Sequence, residues 1–181
     1  MIWAMSGDDA SPAVYTLGHS RHALEHFAGL CARHAIGLVV DVRGQPYSRF
    51  NPWFNRERFG DALAEHGIGY LWLGDRLSGR PKEPEFRGPD GKVLWDRLRQ
   101  WPALHDGLAE VLERAAAERL ALVCAEEDPM RCHRRFLLTP PLVERGARIV
   151  HIRGDGRLEP EEVLREREDA KTGAGQLNLF D

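Results

Sequence analysis

Ile36-Gly37-Leu38-Val39-Val40-Asp41-Val42, followed at once by Arg43-Gly44-Gln45-Pro46, decides the fold. The run is apolar without alternation. That pattern marks a strand buried on both faces, as in a parallel sheet covered by helices. Before it lies a helix-period stretch with Leu24, Phe27, Leu30 and Cys31 on one side. Before that, the β-prone Val14-Tyr15-Thr16-Leu17 runs into Gly18-His19-Ser20. Strand, loop, helix and strand therefore follow one another within thirty or so residues, the size of a βαβ unit.

Downstream, Gln45 to Asn55 holds two Pro, two Asn and the aromatics Tyr47, Phe50, Trp53 and Phe54, a composition that predicts a packed, ordered loop. Arg56 to His66 has helical spacing, and Ile68 to Leu73 reads as a third strand. Gly74 to Lys92, rich in Gly, Pro and charge, reads as an excursion loop without secondary structure. Trp95 to Trp101 and Leu104 to Glu118 read as helices, the second with Leu104, Leu108, Val111, Leu112 and Ala115 along one stripe. Leu120 to Cys124 is a fourth buried strand. Asp128 and Pro129 then suit the N-cap and first turn of a helix carrying Cys132, His133, Phe136 and Leu137. Thr139-Pro140-Pro141 interrupts it and opens a short helix ending near Gly146. Arg148 to Ile152 is the fifth strand, and Glu159 to Glu168 a charged helix. Alternating strands and helices predict a three-layer α/β domain, a mostly parallel sheet with helices on both faces. The strand order does not follow from this pattern. The expected division is a loose lead-in over 1–13, the α/β domain over 14–153, the charged helix over 154–170 and a flexible tail over 171–181.

Composition sets the outer bounds. The chain has 181 residues, 43% of them hydrophobic, and a net charge of -3. It is large enough for one substantial core. No window approaches the 18 or so apolar residues of a membrane span, and Met1 to Ala10 lacks a cationic start and an apolar core. No membrane partner is expected. Cys31, Cys124 and Cys132 make an odd number of thiols, which fits a reducing, cytoplasmic setting. The acidic balance argues against a broadly basic nucleic-acid-coating surface, so any association with DNA is local or indirect.

In an open α/β sheet ligands collect beyond the carboxyl ends of the strands. Here those ends deliver Gly18-His19-Ser20, Asp41-Val42-Arg43, Gly74-Asp75-Arg76, Cys124 to Glu127 and His151-Ile152-Arg153. The densest segment, Cys124 to Arg134, places one thiol at a strand end, a second near a helix N-terminus, and His133 and Arg134 beside them. Low-pKa nucleophile, redox pair and metal site are all readings of that set. The C-x7-C-H spacing is not that of a common zinc motif, so no metal ligands and no particular cofactor are expected from it. Cys124, Glu126, Cys132 and His133 are the catalytic candidates. Glu126 would act as base or acid, and Cys132 with His133 as nucleophile and partner. Asp41 to Arg49 contributes Asp41, Arg43, Ser48 and Arg49; Arg43 and Arg49 suit an anion-holding fork, unless Asp41 pairs with Arg43. His19, Ser20 and Arg134 complete the ligand-binding set. The loop aromatics either stack on a base or pack the loop onto the core.

Four motifs carry a family resemblance: Y-T-L-G-H-S at Tyr15 to Ser20, D-V-R-x-x-P-x-S-R at Asp41 to Arg49, N-P-x-F-N at Asn51 to Asn55, and C-A-E-x-D-P-x-x-C-H-R at Cys124 to Arg134. Together they resemble domain-of-unknown-function family 488 over roughly residues 14 to 153, with Leu17 where that family usually has Ile. The resemblance implies one α/β domain and a shared Cys, His, Arg, Asp and Glu cluster, and no established reaction. A weaker likeness is to rhodaneses, whose Asp-Val-Arg strand end and later catalytic Cys are echoed by Asp41 to Arg43 and by Cys124. Acidic Glu126, Glu127 and Asp128 stand where that family has a small, basic, anion-cradling loop.

The tail ends in Gln176-Leu177-Asn178-Leu179-Phe180-Asp181. Gln176, Leu177, Leu179 and Phe180 resemble the Q-L-x-L-F peptide by which bacterial polymerases and repair proteins dock on the replication sliding clamp. Folding back onto the domain, or onto a second copy, is the other use of such an apolar end. The functional expectation is thus an α/β protein recruited to DNA through the clamp for repair or nucleic-acid processing. The alternatives are a rhodanese-like sulfur-transfer enzyme using Cys124, and a non-catalytic module binding a small anion or nucleotide.

Overall fold

The computed structural model describes residues 11–177, with side chains to residue 170. Six strands form one sheet: β1 (Ala13–Gly18), β2 (Leu38–Asp41), β3 (Gly69–Trp72), β4 (Leu120–Cys124), β5 (Arg148–Ile152) and β6 (Leu158–Pro160). Their spatial order is β3-β2-β4-β1-β5-β6, parallel except for β6. The helices are α1 (Leu24–Arg33), α2 (Arg56–Glu65), α3 (Gly74–Leu77), α4 (Trp95–Arg99), α5 (Pro102–Ala117), α6 (Thr139–Glu144) and α7 (Glu161–Leu177).

The two faces follow from strand alternation. On β4, Leu120, Leu122 and Cys124 point into a core layer shared with Leu77, Leu98, Leu104, Leu108, Leu137 and Leu142, so α3 to α6 cover that face. Ala121 and Val123 point the other way, into a layer with Phe27, Leu30, Cys31, Phe59 and Leu63 of α1 and α2. Helices on both faces bury every strand of the centre, which is why β4 is apolar throughout and β2 is apolar up to the buried Asp41 at its end. The three-layer α/β architecture is thus present, with a mostly parallel sheet.

Several elements differ from the sequence pattern. A sixth strand, β6, turns back against β5 through Arg153 to Arg157, with Gly156 at φ +83°, a conformation that favours glycine. The excursion loop contains α3 and an isolated bridge between Arg87 and Val93. After β4 there is no single helix. Asp128 caps Met130 through its carboxylate, as an N-cap should, but the turn it starts is a 3-10 turn over Pro129–Arg131. Cys132 is then extended, and a π-helical turn follows over Arg134–Leu138. Pro140 and Pro141 have no amide hydrogen to continue a regular helix from that turn. Helix α7 runs to Leu177 and so takes in Thr172 to Gly175, whose composition suggests a linker. The Met1 to Ala10 lead-in, the Gln176 and Leu177 side chains, and Leu179 and Phe180 lie outside the described residues and side chains.

Polar side chains inside the sheet are paired. Thr16 Oγ1 lies 2.8 Å from His151 Nδ1, His151 Nε2 lies 2.9 Å from Glu161, and Arg135 Nε donates to the same carboxylate at 3.0 and 3.1 Å. This buried chain ties β1, β5, α7 and the π-helical turn together.

Candidate functional site

The connections from β2 and β4 leave in opposite directions, β2 toward β3 and β4 toward β5, and cross opposite faces. A crevice therefore opens beyond their carboxyl ends, at the switch point of the sheet. A cavity of about 710 Å³ occupies that place. Its wall includes Arg43, Ser78, Gly79, Arg80, Trp95, Cys124, Glu126, Arg131, Cys132, His133 and Phe136.

Its floor is a thiol and imidazole cluster. Cys124 ends β4 and Cys132 follows the 3-10 turn, both buried. His133 Nδ1 is 3.7 Å from the Cys124 Sγ and 3.9 Å from the Cys132 Sγ. The cluster exists because the seven-residue excursion between the cysteines closes on itself. Arg134, fully buried, donates through Nε to the Cys132 Sγ at 3.1 Å and through its terminal nitrogen to the Glu126 carbonyl. Gly18 lets the same loop approach β1: a Cβ there would sit 2.0 Å from the Glu126 carbonyl oxygen. The neighbouring Cys132 thiol pulls Cys124 well below the ordinary thiol range against the cost of burial, helped by the Arg134 charge and the Glu126 and Ala125 amides. Cys132, beside the Cys124 sulfur and also buried, is pushed up. Two thiols and an imidazole nitrogen, all within 4.8 Å of one another, could hold a soft metal cation.

A second polar group sits beside this floor and is consumed internally. Asp41, fully buried, accepts from Arg43 Nε at 2.8 Å, Arg43 NH2 at 2.6 Å, the Arg43 amide at 3.0 Å and the Tyr70 hydroxyl at 2.7 Å. Arg43 also donates to the Phe54 carbonyl at 2.8 Å and meets His19 Nε2 at 2.9 Å. His19 stacks on Phe54 at 4.3 Å, and burial together with the Arg43 charge lowers its pKa to about 4. It is a neutral imidazole at neutral pH.

The residues singled out by sequence therefore divide. Cys124, Cys132, His133 and Glu126 come together at the cavity, as does one edge of Arg43. Asp41 and Arg43 pair, and Arg49 is exposed and outside the cavity wall, so the Arg43/Arg49 fork is not assembled. Ser48 Oγ accepts from the Phe50 and Asn51 amides and shapes its own loop. Ser20, at φ +46°, contributes its backbone, accepting from Asn51 and His19. Arg134 braces the loop rather than lining the cavity. Of the loop aromatics only Phe54 packs into the core; Tyr47 is 72% and Phe50 96% exposed. Of the acids after Cys124, Glu127 is turned to Arg153 at 2.9 Å and Asp128 caps its turn, which leaves Glu126 at the cavity. Arg76 pairs with Glu110 on α5, and His151 belongs to the buried chain.

Arg80, Trp95, Arg131 and Phe136 were not among the candidates. The first two lie on the excursion loop and the start of α4, and packing brings them to the site: Gly79 abuts the His133 ring, and Gly44 abuts Ser78. Arg80 and Arg131 have no anionic partner among the described residues. Arginines without partners on the wall of a cavity are a signal that only the tertiary arrangement carries.

The family model described as Domain of unknown function DUF488 matches residues 23–139. The chain belongs to this family. The matched segment takes in α1, β2, the excursion loop and the whole cysteine loop of this DUF488 protein; the Tyr15 to Ser20 motif falls before it. No curated protein and no solved structure matches. No helix of the described residues is long and apolar enough to cross a membrane.

Proposed function

We propose that this protein is an enzyme acting on a nucleotide of unpaired nucleic acid, brought to DNA when its C-terminal Gln176 to Phe180 peptide docks on the replication sliding clamp. One observation supports the first half: the cavity wall offers Tyr47, Trp95 and Phe136, all exposed, together with Arg80 and Arg131, which have no ion-pair partner among the described residues, against the carboxylate of Glu126. Ring faces take bases of any sequence, and guanidinium groups hold phosphates. This is a local basic and aromatic patch on an acidic protein, which suits a substrate presented by a partner. The cysteine and histidine floor is the reacting end of the cavity, with Glu126 placed at its rim to move a proton.

The test uses a fluorescently labelled single-stranded oligonucleotide and anisotropy across a salt series. Replacing Arg80 and Arg131 by Ala should weaken binding and flatten the dependence of log K on log salt by about 1.4, from roughly 0.7 per lost phosphate contact on single strands. Unchanged affinity and slope in the double variant would remove the reading. The clamp half is tested separately: Leu179→Ala with Phe180→Ala should abolish retention of the protein on immobilised clamp, and equal retention of both forms would reject it.

A sulfur-transfer reading has one observation in its favour. Cys124 closes a strand, and its neighbouring Cys132 thiol, the Arg134 charge and the Glu126 and Ala125 amides favour its thiolate, the form that would carry a persulfide. Intact-mass measurement after incubation with thiosulfate decides it, by the gain of one sulfur atom in the native chain and not in Cys124→Ser.

A further inference from the structure

We propose that Cys124, Cys132 and His133 form a binding site for a soft divalent metal ion of the zinc class, with the fourth coordination position facing the cavity. The spacing of the donors carries the argument. Zinc bonds of about 2.3 Å to sulfur and 2.0 Å to nitrogen in tetrahedral geometry place S and N about 3.6 Å apart. The Nδ1 atom of His133 stands 3.7 and 3.9 Å from the two sulfurs, and the three donors lie within 4.8 Å of one another. Both nitrogen-to-sulfur distances are therefore within a few tenths of an ångström of those around an ion.

The histidine supplies a second, independent reason. A buried imidazole that is merely structural satisfies its nitrogens with carbonyls, hydroxyls or carboxylates. At Nδ1, the nitrogen that would face the metal, His133 meets none of these: its partners there are the two sulfurs at long range. What fixes the ring is steric. A Cβ on Gly79 would lie 2.6 Å from the His133 Cβ and 2.7 Å from its Cγ, so Gly79 allows the excursion loop to press against the ring. The ring is thus held with Nδ1 toward the thiols by packing alone, an arrangement that a metal bond to Nδ1 explains.

The surroundings suit a thiolate metal centre. Arg134 Nε donates to the Cys132 Sγ at 3.1 Å from a fully buried position, the kind of outer hydrogen bond that orients a ligating sulfur. Two sulfurs and one nitrogen favour zinc over magnesium or calcium, which take oxygen. All three donors line the cavity, so an ion here has three protein ligands and one position open to whatever the cavity holds, the arrangement of catalytic rather than structural zinc. Glu126 lines the same cavity, is exposed, and is not one of the donors. On binding, each thiol that still carries its proton releases it to the buffer, and no oxidant or reductant takes part.

This site shares its cavity with the nucleic-acid reading but does not rest on it. Metal uptake without oligonucleotide binding would remove that reading and leave this one. A metal-bound Cys124 is a ligand and not a free nucleophile, so uptake also argues against sulfur transfer.

The experiment titrates Co2+ into the full-length, untagged, reduced protein and follows absorbance, then displaces it with Zn2+. One equivalent of Co2+ is expected, with thiolate-to-cobalt charge transfer in the near ultraviolet and visible bands of tetrahedral intensity, all abolished by one equivalent of Zn2+. Cys132→Ser and His133→Ala should each lower affinity at least tenfold and change the bands. Gly79→Ala, which keeps all three ligand residues in the chain, should weaken binding by displacing the His133 ring. Circular dichroism confirms that each variant is folded, and Zn2+ should raise the melting temperature of the native chain more than that of Cys132→Ser. Absence of thiolate-to-cobalt absorption at saturating Co2+, or the same absorption and affinity in Cys132→Ser and His133→Ala, overturns the proposal.

Discussion

At the scale of single residues, the site separates groups that are chemically alike by what already occupies them. Asp41 and Arg43 have the side chains of an acid and an anion holder, yet each is consumed by the other and by Tyr70, Phe54 and His19. Breaking a buried pair by removing one charge leaves the other uncompensated. Asp41→Asn should therefore cost about 3 to 5 kcal/mol in urea unfolding, a structural loss. An unchanged midpoint would show that Arg43 finds solvent elsewhere. His19 gives a pH signature. Its pKa is about 4 in the folded chain against an ordinary 6.5, so the unfolded state binds the proton first as pH falls. The stability it contributes is fully present above pH 6.5 and is lost between there and about 4, at most about 3 kcal/mol. Glu127 and Glu161, lowered by Arg153 and by His151 and Arg135 against the opposing effect of burial, add losses below the ordinary carboxylate range. Urea midpoints at pH 7 and pH 4.5 should differ, and His19→Phe should reduce the difference; equal slopes for both forms would refute the assignment.

Elements decide where those residues end up. Gly18 ends β1 and touches the cysteine loop, so Gly18→Ala must move the Glu126 carbonyl; a loss of about 2 to 4 kcal/mol is expected, with weaker Co2+ binding. Gly29 in α1 has nothing within 4 Å of its Cβ position, so Gly29→Ala should instead gain about 0.5 to 1 kcal/mol. Thermal melts of the two variants should move in opposite directions. Strand β4 is legible in the sequence because it is an uninterrupted apolar run, β2 and β5 because apolar residues dominate them, and α5 because its stripe has one period. Strand β6 is not, since it has three residues, one of them proline, and exists through its pairing with β5. Cys132 reads as helical because Asp128 and Pro129 are a sound helix start; prolines beyond the π-helical turn and the pull of Arg134 on the Cys132 sulfur win over that local preference. Cys124, Cys132, His133 and Glu126 are visible as a site because they share one short segment. Arg80 reaches it through folding of an excursion whose composition resembles any surface loop, Trp95 from the start of α4, and Phe136 from the π-helical turn beyond the cysteine loop.

The whole molecule concentrates its reactive groups where the sheet changes direction and closes the opposite half with the Thr16, His151, Glu161 and Arg135 chain. That chain tethers α7, and α7 leads to the tail peptide, so a tail bound to a partner is anchored to the rigid sheet. Truncation after residue 170 should accordingly leave Co2+ titration unchanged while abolishing clamp retention. Loss of both together would mean that the tail supports the domain. The strand order has a consequence for synthesis. β4 lies between β1 and β2, and β1 pairs only with β4 and β5. A nascent chain must hold β1 without a partner, and one apolar edge of β2 open, until residue 124 has left the ribosome. Roughly a hundred residues, several seconds of translation, separate the first strand from the one that shields it. The protein's exposure to aggregation and its need for chaperones are therefore concentrated in that interval, before the reactive cluster has been assembled.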